Sequence, residues 1–84
     1  MEKYIIAIKD NGFVEKGFCY RCSIEGDKVT IYDDLSRFDE SFVIQIEQFM
    51  QEFKEMSKED YYLYVDACND GEDEVCYAVR KKYL

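Results

Sequence analysis

Apolar and polar residues alternate between residues 18 and 24, which is the two-residue period of a strand with one buried face. Gly26 and Asp27 follow and suit a two-residue hairpin turn with positive φ. An apolar run at Tyr4–Ile8, closed by the turn residues Asp10–Gly12, predicts an earlier strand. Folding the chain back at Gly26 joins apolar residues on one face and opposite charges on the other. The predicted partners are Ile24 with Val29, Cys22 with Ile31, and Glu25 with Lys28.

The apolar period changes from two to that of an amphipathic helix over residues 42–56. Ser41 or Asp39 is a candidate for the residue that caps the first turn. Ile44 misfits the apolar face of this helix, so residues 42–44 could instead end a strand. One helix packed across a sheet is the economical interpretation of this segment.

The last third of the chain returns to period two and predicts a second hairpin, with strands at residues 61–67 and 75–79. Tyr62 and Tyr64 would lie on its outer face, where their rings would contact basic residues of the return strand. The predicted outer pairs are Tyr64 with Arg80 and Tyr62 with Lys82, and the predicted core residues are Leu63, Val65, Ala67, Tyr77 and Val79.

These elements give the order β-β-β-α-β-β and an α+β fold class. The expected architecture is an antiparallel sheet of about five strands with one amphipathic helix packed on one face. With 84 residues, the chain is expected to form a single compact domain over residues 1–84.

The charge balance restricts the classes of partner. Nineteen acidic residues against eleven basic ones give a net charge of −8. Such a chain repels nucleic acid and anionic lipid, so we expect neither direct nucleic-acid binding nor a membrane partner. No apolar run approaches the roughly 20 residues of a bilayer span, and no signal-peptide pattern opens the sequence, so the expected compartment is the cytoplasm.

The chemistry available to the chain argues against catalysis. Histidine is absent, which removes the commonest general base near neutral pH and every nucleophile that depends on it. No phosphate-binding glycine motif is present. We therefore expect a protein that is not an enzyme and needs no cofactor.

Four cysteines raise the alternative of a structural zinc site, since Cys19 and Cys22 form a C-x-x-C pair that Cys68 and Cys76 could complete. In a strand, however, residues three apart point to opposite faces. We therefore expect no metal and reduced thiols. On this interpretation Cys22 lies in the core, and replacing Cys19 by serine costs little stability.

The acidic residues crowd one segment. Five of the nine residues from Asp66 to Glu74 are acidic, more than a turn requires. The predicted partner-binding residues are therefore the acids of this segment and the two tyrosines beside it. They are Asp66, Asp70, Glu72, Asp73, Glu74, Tyr62 and Tyr64. Reversing Glu72, Asp73 and Glu74 to lysine is expected to slow association without disturbing the fold.

Charge complementarity favours a basic protein as the partner, including nucleic-acid-binding enzymes, with this chain acting as an inhibitor or nucleic-acid mimic. In size, charge and compactness the chain resembles small acidic phage proteins that block such enzymes, among them anti-CRISPR and anti-restriction inhibitors. That resemblance carries no residue roles. The alternative is a non-catalytic interaction or scaffold domain that is acidic only for solubility and binds through exposed tyrosines.

Overall fold

The protein is a five-stranded antiparallel sheet with helices on both faces. The structure is a computed structural model, and it describes residues 2–10, 12, 14–33 and 40–84. The α+β class and the five-stranded antiparallel sheet are confirmed. The elements in chain order are β1 (Glu2–Ala7), β2 (Cys19–Glu25), β3 (Lys28–Tyr32), β4 (Ser41–Gln45), α1 (Ile46–Glu52), β5 (Phe53–Met56), α2 (Lys58–Asp70) and α3 (Asp73–Lys81).

The β2–β3 hairpin has the predicted turn and register. Gly26 adopts φ 61°, a conformation that glycine reaches without steric cost. Ile24 lies opposite Val29 and Cys22 opposite Ile31, while Glu25 lies opposite Lys28. A slip of one residue would have turned the whole apolar set away from the core.

The sheet order is β4-β3-β2-β1-β5, so β1 lies between β2 and β5. Ile5, Ile6 and Ala7 are consecutive in β1, and all three are fully buried. Burial on both sides of a strand requires that both faces of the sheet be covered. Each buried isoleucine contributes about 1.5–3 kcal/mol relative to an exposed one.

Two apolar clusters cover the two faces. The first lies beneath α1 and includes Ile5, Cys22 and Ile31. The second lies between the sheet and the α2–α3 pair and includes Ile6 and Cys19. Cys19 and Cys22 therefore point to opposite faces, as the strand period predicted.

The predicted helix over residues 42–56 is wrong in length, because α1 covers only Ile46–Glu52. Residues Ser41–Gln45 form strand β4, in agreement with the alternative that Ile44 suggested. Gln45 precedes α1 and makes no side-chain capping bond, so Ser41 does not cap this helix. Asp39 and Asn11 lie outside the described residues. Residues Phe53–Met56 pair with β1, whose second edge needs hydrogen-bond partners.

The predicted second hairpin is also wrong, since both of its strands are helices. The Ser57 hydroxyl accepts a hydrogen bond from the Asp60 backbone N–H at 3.1 Å and begins α2. Gly71 ends α2 at φ 72°, and the Glu72 N–H donates to the Ala67 carbonyl at 2.9 Å. The chain then reverses into α3. The last third of the chain is therefore an antiparallel pair of helices and not a pair of strands.

Among the described residues, no helix combines the length and the apolar character needed to span a lipid bilayer.

Candidate partner-binding surface

The outer face of α2, defined by Glu59, Tyr62, Leu63, Asp66 and Asp70, is exposed along its whole length. These residues recur at three- and four-residue steps, which places them on one side of a helix. The opposite side of α2 carries the buried residues Tyr61, Tyr64 and Ala67. An acidic and aromatic surface thus follows from the helical period.

Tyr64 does not belong to this surface. It is 3% exposed and packs in the cluster between α2 and the sheet. Its burial raises the pKa of the phenol well above its usual range. The prediction of an exposed Tyr64 paired with Arg80 is wrong, because that pairing required a strand. Leu63 and Tyr77 were assigned to the core on the same strand assumption, but they are 49% and 65% exposed.

Tyr62 is half exposed, and one side of its ring packs against two other tyrosine rings. Its ring centroid lies 5.8 Å from that of Tyr4 and 5.6 Å from that of Tyr61. The neighbouring Tyr62 phenol is the main cause that raises the pKa of Tyr4 to about 12. Lys58, rather than the predicted Lys82, lies over the Tyr62 ring at 5.9 Å. A ring fixed on one side and open on the other provides contact area at low entropic cost.

The five predicted acids meet where α2 turns into α3, and we call them the acidic tip: Asp66, Asp70, Glu72, Asp73 and Glu74. All five are exposed. The structure therefore brings them together at the end of a helical hairpin instead of a β-hairpin. None of the described residues forms a hydrogen bond or an ion pair with their side chains.

Two of these acids have a local structural role. Asp73 and Glu74 lie in the first turn of α3. Negative charge there is stabilised by the unpaired N–H groups of the helix, by about 0.3–1 kcal/mol for each residue. The start of α3 is therefore sufficient to explain why these two positions carry acidic residues.

Asp66 and Asp70 have no such explanation. Asp70 is the last residue of α2, and the last turn of this helix contains no basic residue. Negative charge at that end is repelled by the unpaired carbonyl groups. The two carboxylates also face each other at a four-residue step, which destabilises a helix by about 0.2–0.5 kcal/mol. These charges are unfavourable for α2 itself.

Basic residues lie at the other end of the helical pair, and two of them, Arg80 and Lys82, contact other parts of the chain. Lys82 Nζ donates to Asp60 Oδ2 at 3.0 Å, and the Tyr83 hydroxyl donates to the same carboxylate. The bond from Tyr83, followed by that from Lys82, holds the pKa of Asp60 below its ordinary value. The guanidinium of Arg80 packs over Gly17, where a Cβ atom would lie within 2.5 Å of it. No lysine or arginine of the described residues forms an ion pair with the acidic tip.

A shallow groove of about 280 Å³ runs between α2 and α3. It lies just below the volume range of small-molecule pockets, about 300–1,000 Å³, and suits a protruding side chain of a protein partner better. Three charged residues share its lining with apolar ones. The lining residues are Asp60, Leu63, Glu74, Val75, Ala78, Val79 and Lys82.

The thiols form no metal centre among the described residues, where no group of three or more metal-ligating side chains converges. Cys22 is fully buried, in agreement with its predicted core position. Cys19 is 3% exposed as well, which argues against the expectation that its replacement by serine costs little stability. The sheet face that carries Cys19 is covered by the two helices that were not predicted. Burial raises the pKa of the Cys19 thiol to about 12.

The helical period of residues 58–70 was the signal that could have identified this surface. Ser57 with Asp60 three residues later is a helix-start pattern, and it was present in the sequence. Comparisons of the chain with protein-family models, curated proteins and solved structures give no match. The candidate surface therefore consists of the acidic tip and the exposed Tyr62 and Leu63 beside it.

Proposed function

We propose that this chain is a non-catalytic binding module of the cytoplasm that docks its acidic tip on a basic protein. The proposed partner is a nucleic-acid-handling enzyme, and the proposed effect is inhibition through mimicry of nucleic acid, as in anti-CRISPR inhibitors. The observation that carries the proposal is the pair Asp66 and Asp70. Both are exposed on α2, and Asp70 ends the helix without a basic neighbour in its last turn.

A cationic partner would relieve the unfavourable placement of these two charges. In the free protein Asp70 is repelled by the helix carbonyls and by Asp66. Lysine or arginine side chains of a partner would stabilise both carboxylates at once. Binding would thus be coupled to the removal of a local electrostatic cost, which supports a functional role for the two acids.

The charge density of the acidic tip supports mimicry of a nucleic acid. Asp66 and Asp70 are about 6 Å apart along the helix axis, and the other three acids follow within the next turn. Five carboxylates therefore lie within nine residues at one end of the helical pair. A local concentration of negative charge is what mimicry of duplex DNA, with one charge per roughly 1.7 Å of its axis, requires.

Apolar contacts beside the acids would add affinity. Tyr62 and Leu63 are each about half exposed on the outer face of α2. Aromatic residues in the centre of an interface commonly contribute most of its binding energy. The carboxylates would then steer the encounter, and the ring and the leucine would hold the complex.

One observation favours the alternative of a scaffold domain that binds through apolar residues. Tyr77 is 65% exposed on α3, outside the acidic tip. If this residue dominates binding, the affinity will depend little on salt. Charge-driven docking weakens as the salt concentration rises.

Capture followed by competition tests the proposal. The tagged chain is incubated with cell extract at low and at high salt, and the retained proteins are identified by mass spectrometry. We expect a basic protein that is lost at high salt. The purified partner is then mixed with labelled duplex or single-stranded nucleic acid, which the chain should displace. Simultaneous binding of chain and nucleic acid would refute mimicry, and retention that is insensitive to salt would favour the scaffold alternative.

A further inference from the structure

Two cysteines meet where α2 turns into α3. Cys68 lies in the last turn of α2 and Cys76 in the first turns of α3, and their Sγ atoms are 3.3 Å apart. Cys68 is exposed, whereas Cys76 is 8% exposed. The pair thus has one thiol open to reagents and one protected behind it.

The backbone holds these two thiols together. The Glu72 N–H donates to the Ala67 carbonyl at 2.9 Å, and the Cys76 N–H donates to the Glu72 carbonyl at 3.2 Å. These bonds fix the turn on both sides of Gly71. A disulfide has a sulfur–sulfur length of about 2.03–2.05 Å, so closure requires an approach of roughly 1.3 Å. Side-chain rotation together with a small shift of the turn can supply that approach.

We propose that Cys68 and Cys76 form a reversible dithiol–disulfide pair that is oxidised by a low-molecular-weight disulfide such as glutathione disulfide. The pair is independent of partner binding, because it is defined by the turn and the two thiols alone. No other cysteine pair of the described residues has the same arrangement, since Cys19 is buried beneath the helices and Cys22 lies on the opposite sheet face.

The reaction proceeds in two exchanges. The exposed Cys68 loses its proton, and its sulfur attacks one sulfur of the small disulfide. The bond between the two sulfurs of the oxidant breaks, and the other sulfur leaves as a thiolate and takes up a proton. The product is a mixed disulfide on Cys68. The Cys76 sulfur then attacks the Cys68 sulfur and expels the second small thiol, which takes up the Cys76 proton. In total, two electrons and two protons pass from the protein pair to the oxidant, which becomes two thiols.

The surroundings of Cys76 favour its role as the second thiol. Burial is the main cause that raises the pKa of Cys76 to about 11, and contact with Cys68 adds to it. A protonated, buried thiol is a poor first nucleophile. A disulfide is strongly oxidising when its reduced form is stabilised as a thiolate, and the protonated Cys76 thiol provides no such stabilisation.

Oxidation would link the two helices through the acidic tip. The bond would close a loop of nine residues, 68–76, that contains Asp70, Glu72, Asp73 and Glu74. Closing a loop of this size restricts the unfolded chain, and for a domain of this length the expected gain in melting temperature is on the order of 10 °C.

Mass spectrometry of the native protein tests the pair. The full chain is incubated with glutathione disulfide without denaturant, and its intact mass and peptide map are recorded. We expect the loss of two hydrogen atoms, a link between Cys68 and Cys76, reversal by a dithiol reductant, and the higher melting temperature. A link that involves Cys19 or Cys22, or no loss of mass, would overturn the proposal.

Variants separate the two steps. Cys76→Ala should retain one glutathionyl group on Cys68, because the second exchange is blocked. Cys68→Ser should remain unmodified, since the first thiol is missing. Cys22→Ala is the matched control and should still form the link. If Cys76→Ala proves unstable, Cys68→Ser alone decides the matter, and its modification on another cysteine would contradict the assigned order.

Discussion

The Asp60 carboxylate joins the end of the chain to the start of α2. It accepts hydrogen bonds from the Tyr83 hydroxyl and from Lys82 Nζ, and its own backbone N–H donates to Ser57. Its side chain is only 14% exposed. Hydrogen bonds to a charged group in such a position are stronger than those at an open surface. The contact therefore contributes to stability.

Tyr83→Phe should lower the free energy of unfolding by about 1–2 kcal/mol at neutral pH. The folded pKa of Asp60 is lowered, so its stabilising contribution is complete above the unfolded value of about 3.9 and is lost as the pH falls through the folded value. The difference between variant and wild type should therefore narrow in acid. Urea unfolding at pH 7 and pH 3 measures it.

Tyr77→Phe is the matched control, because that hydroxyl is on an exposed ring and its loss should change stability by less than about 0.5 kcal/mol. A Tyr83→Phe effect that is equal at both pH values would contradict the assigned role of Asp60.

Cys19→Ser should destabilise the protein by about 1–3 kcal/mol, as should Cys22→Ser, because each places a hydroxyl in an apolar cluster. This replaces the expectation from sequence that Cys19 tolerates the change. Cys68→Ser is the comparison, since Cys68 is exposed. Urea unfolding under reducing conditions decides the matter. A cost for Cys19→Ser as small as that for Cys68→Ser would show that the second cluster is not tightly packed.

At the scale of elements, the ends of α2 and α3 predict opposite effects for one kind of substitution. Asp70→Lys should raise the free energy of unfolding by about 0.5–1 kcal/mol, because it removes a repulsive charge from the end of α2 and creates a favourable pair with Asp66. Asp73→Lys should lower it by about 0.3–1 kcal/mol, because it places a cation in the first turn of α3.

Both of these variants change the net charge equally, from −8 to −6, since each reversal adds two charges. A difference between them in urea unfolding therefore reports the helix ends and not the overall charge. Equal shifts would contradict the assignment. The earlier expectation that reversal of Glu72, Asp73 and Glu74 leaves the fold undisturbed needs revision, because two of these acids belong to a helix start.

The sequence predicted the β2–β3 hairpin correctly because its turn, apolar alternation and charge pairing agree. The prediction for the last third of the chain was wrong because its tyrosines fit both the strand period and the helix period. Tyr61, Leu63 and Val65 alternate as in a strand, whereas the residues that are buried, Tyr61, Tyr64 and Ala67, recur every three residues. A tyrosine suits either a buried or an exposed position, so the pattern alone did not separate them. The Ser57 cap was the distinguishing signal.

At the scale of the molecule, the second layer of helices was indicated by β1. Three consecutive residues that are fully buried need cover on both faces, and the run of apolar residues from Tyr4 to Ile8 is typical of such a strand. The five acids of the candidate site lie at the junction of two paired elements, but these elements are helices and not the strands of the predicted β-hairpin. Their relation to helix ends could not be predicted, because it depends on the type of hairpin.

The account of the whole molecule assigns two kinds of acid to one tip. Asp73 and Glu74 stabilise the fold, whereas Asp66 and Asp70 oppose it locally. Solubility gives no reason to place acids at two positions that are unfavourable for α2, because it is served by an acid at any exposed position. The proposed role in binding therefore depends specifically on Asp66 and Asp70.

The most direct test compares two double reversals of equal charge. Asp66→Lys with Asp70→Lys alters the acidic tip, and Glu15→Lys with Glu40→Lys alters exposed acids outside the helices, so each variant carries a net charge of −4. Association with the captured basic partner is measured by biolayer interferometry at several salt concentrations. The account predicts that the tip variant associates at least roughly tenfold more slowly and loses most of its salt dependence, while the control stays close to wild type. Equal rates for the two variants would contradict it.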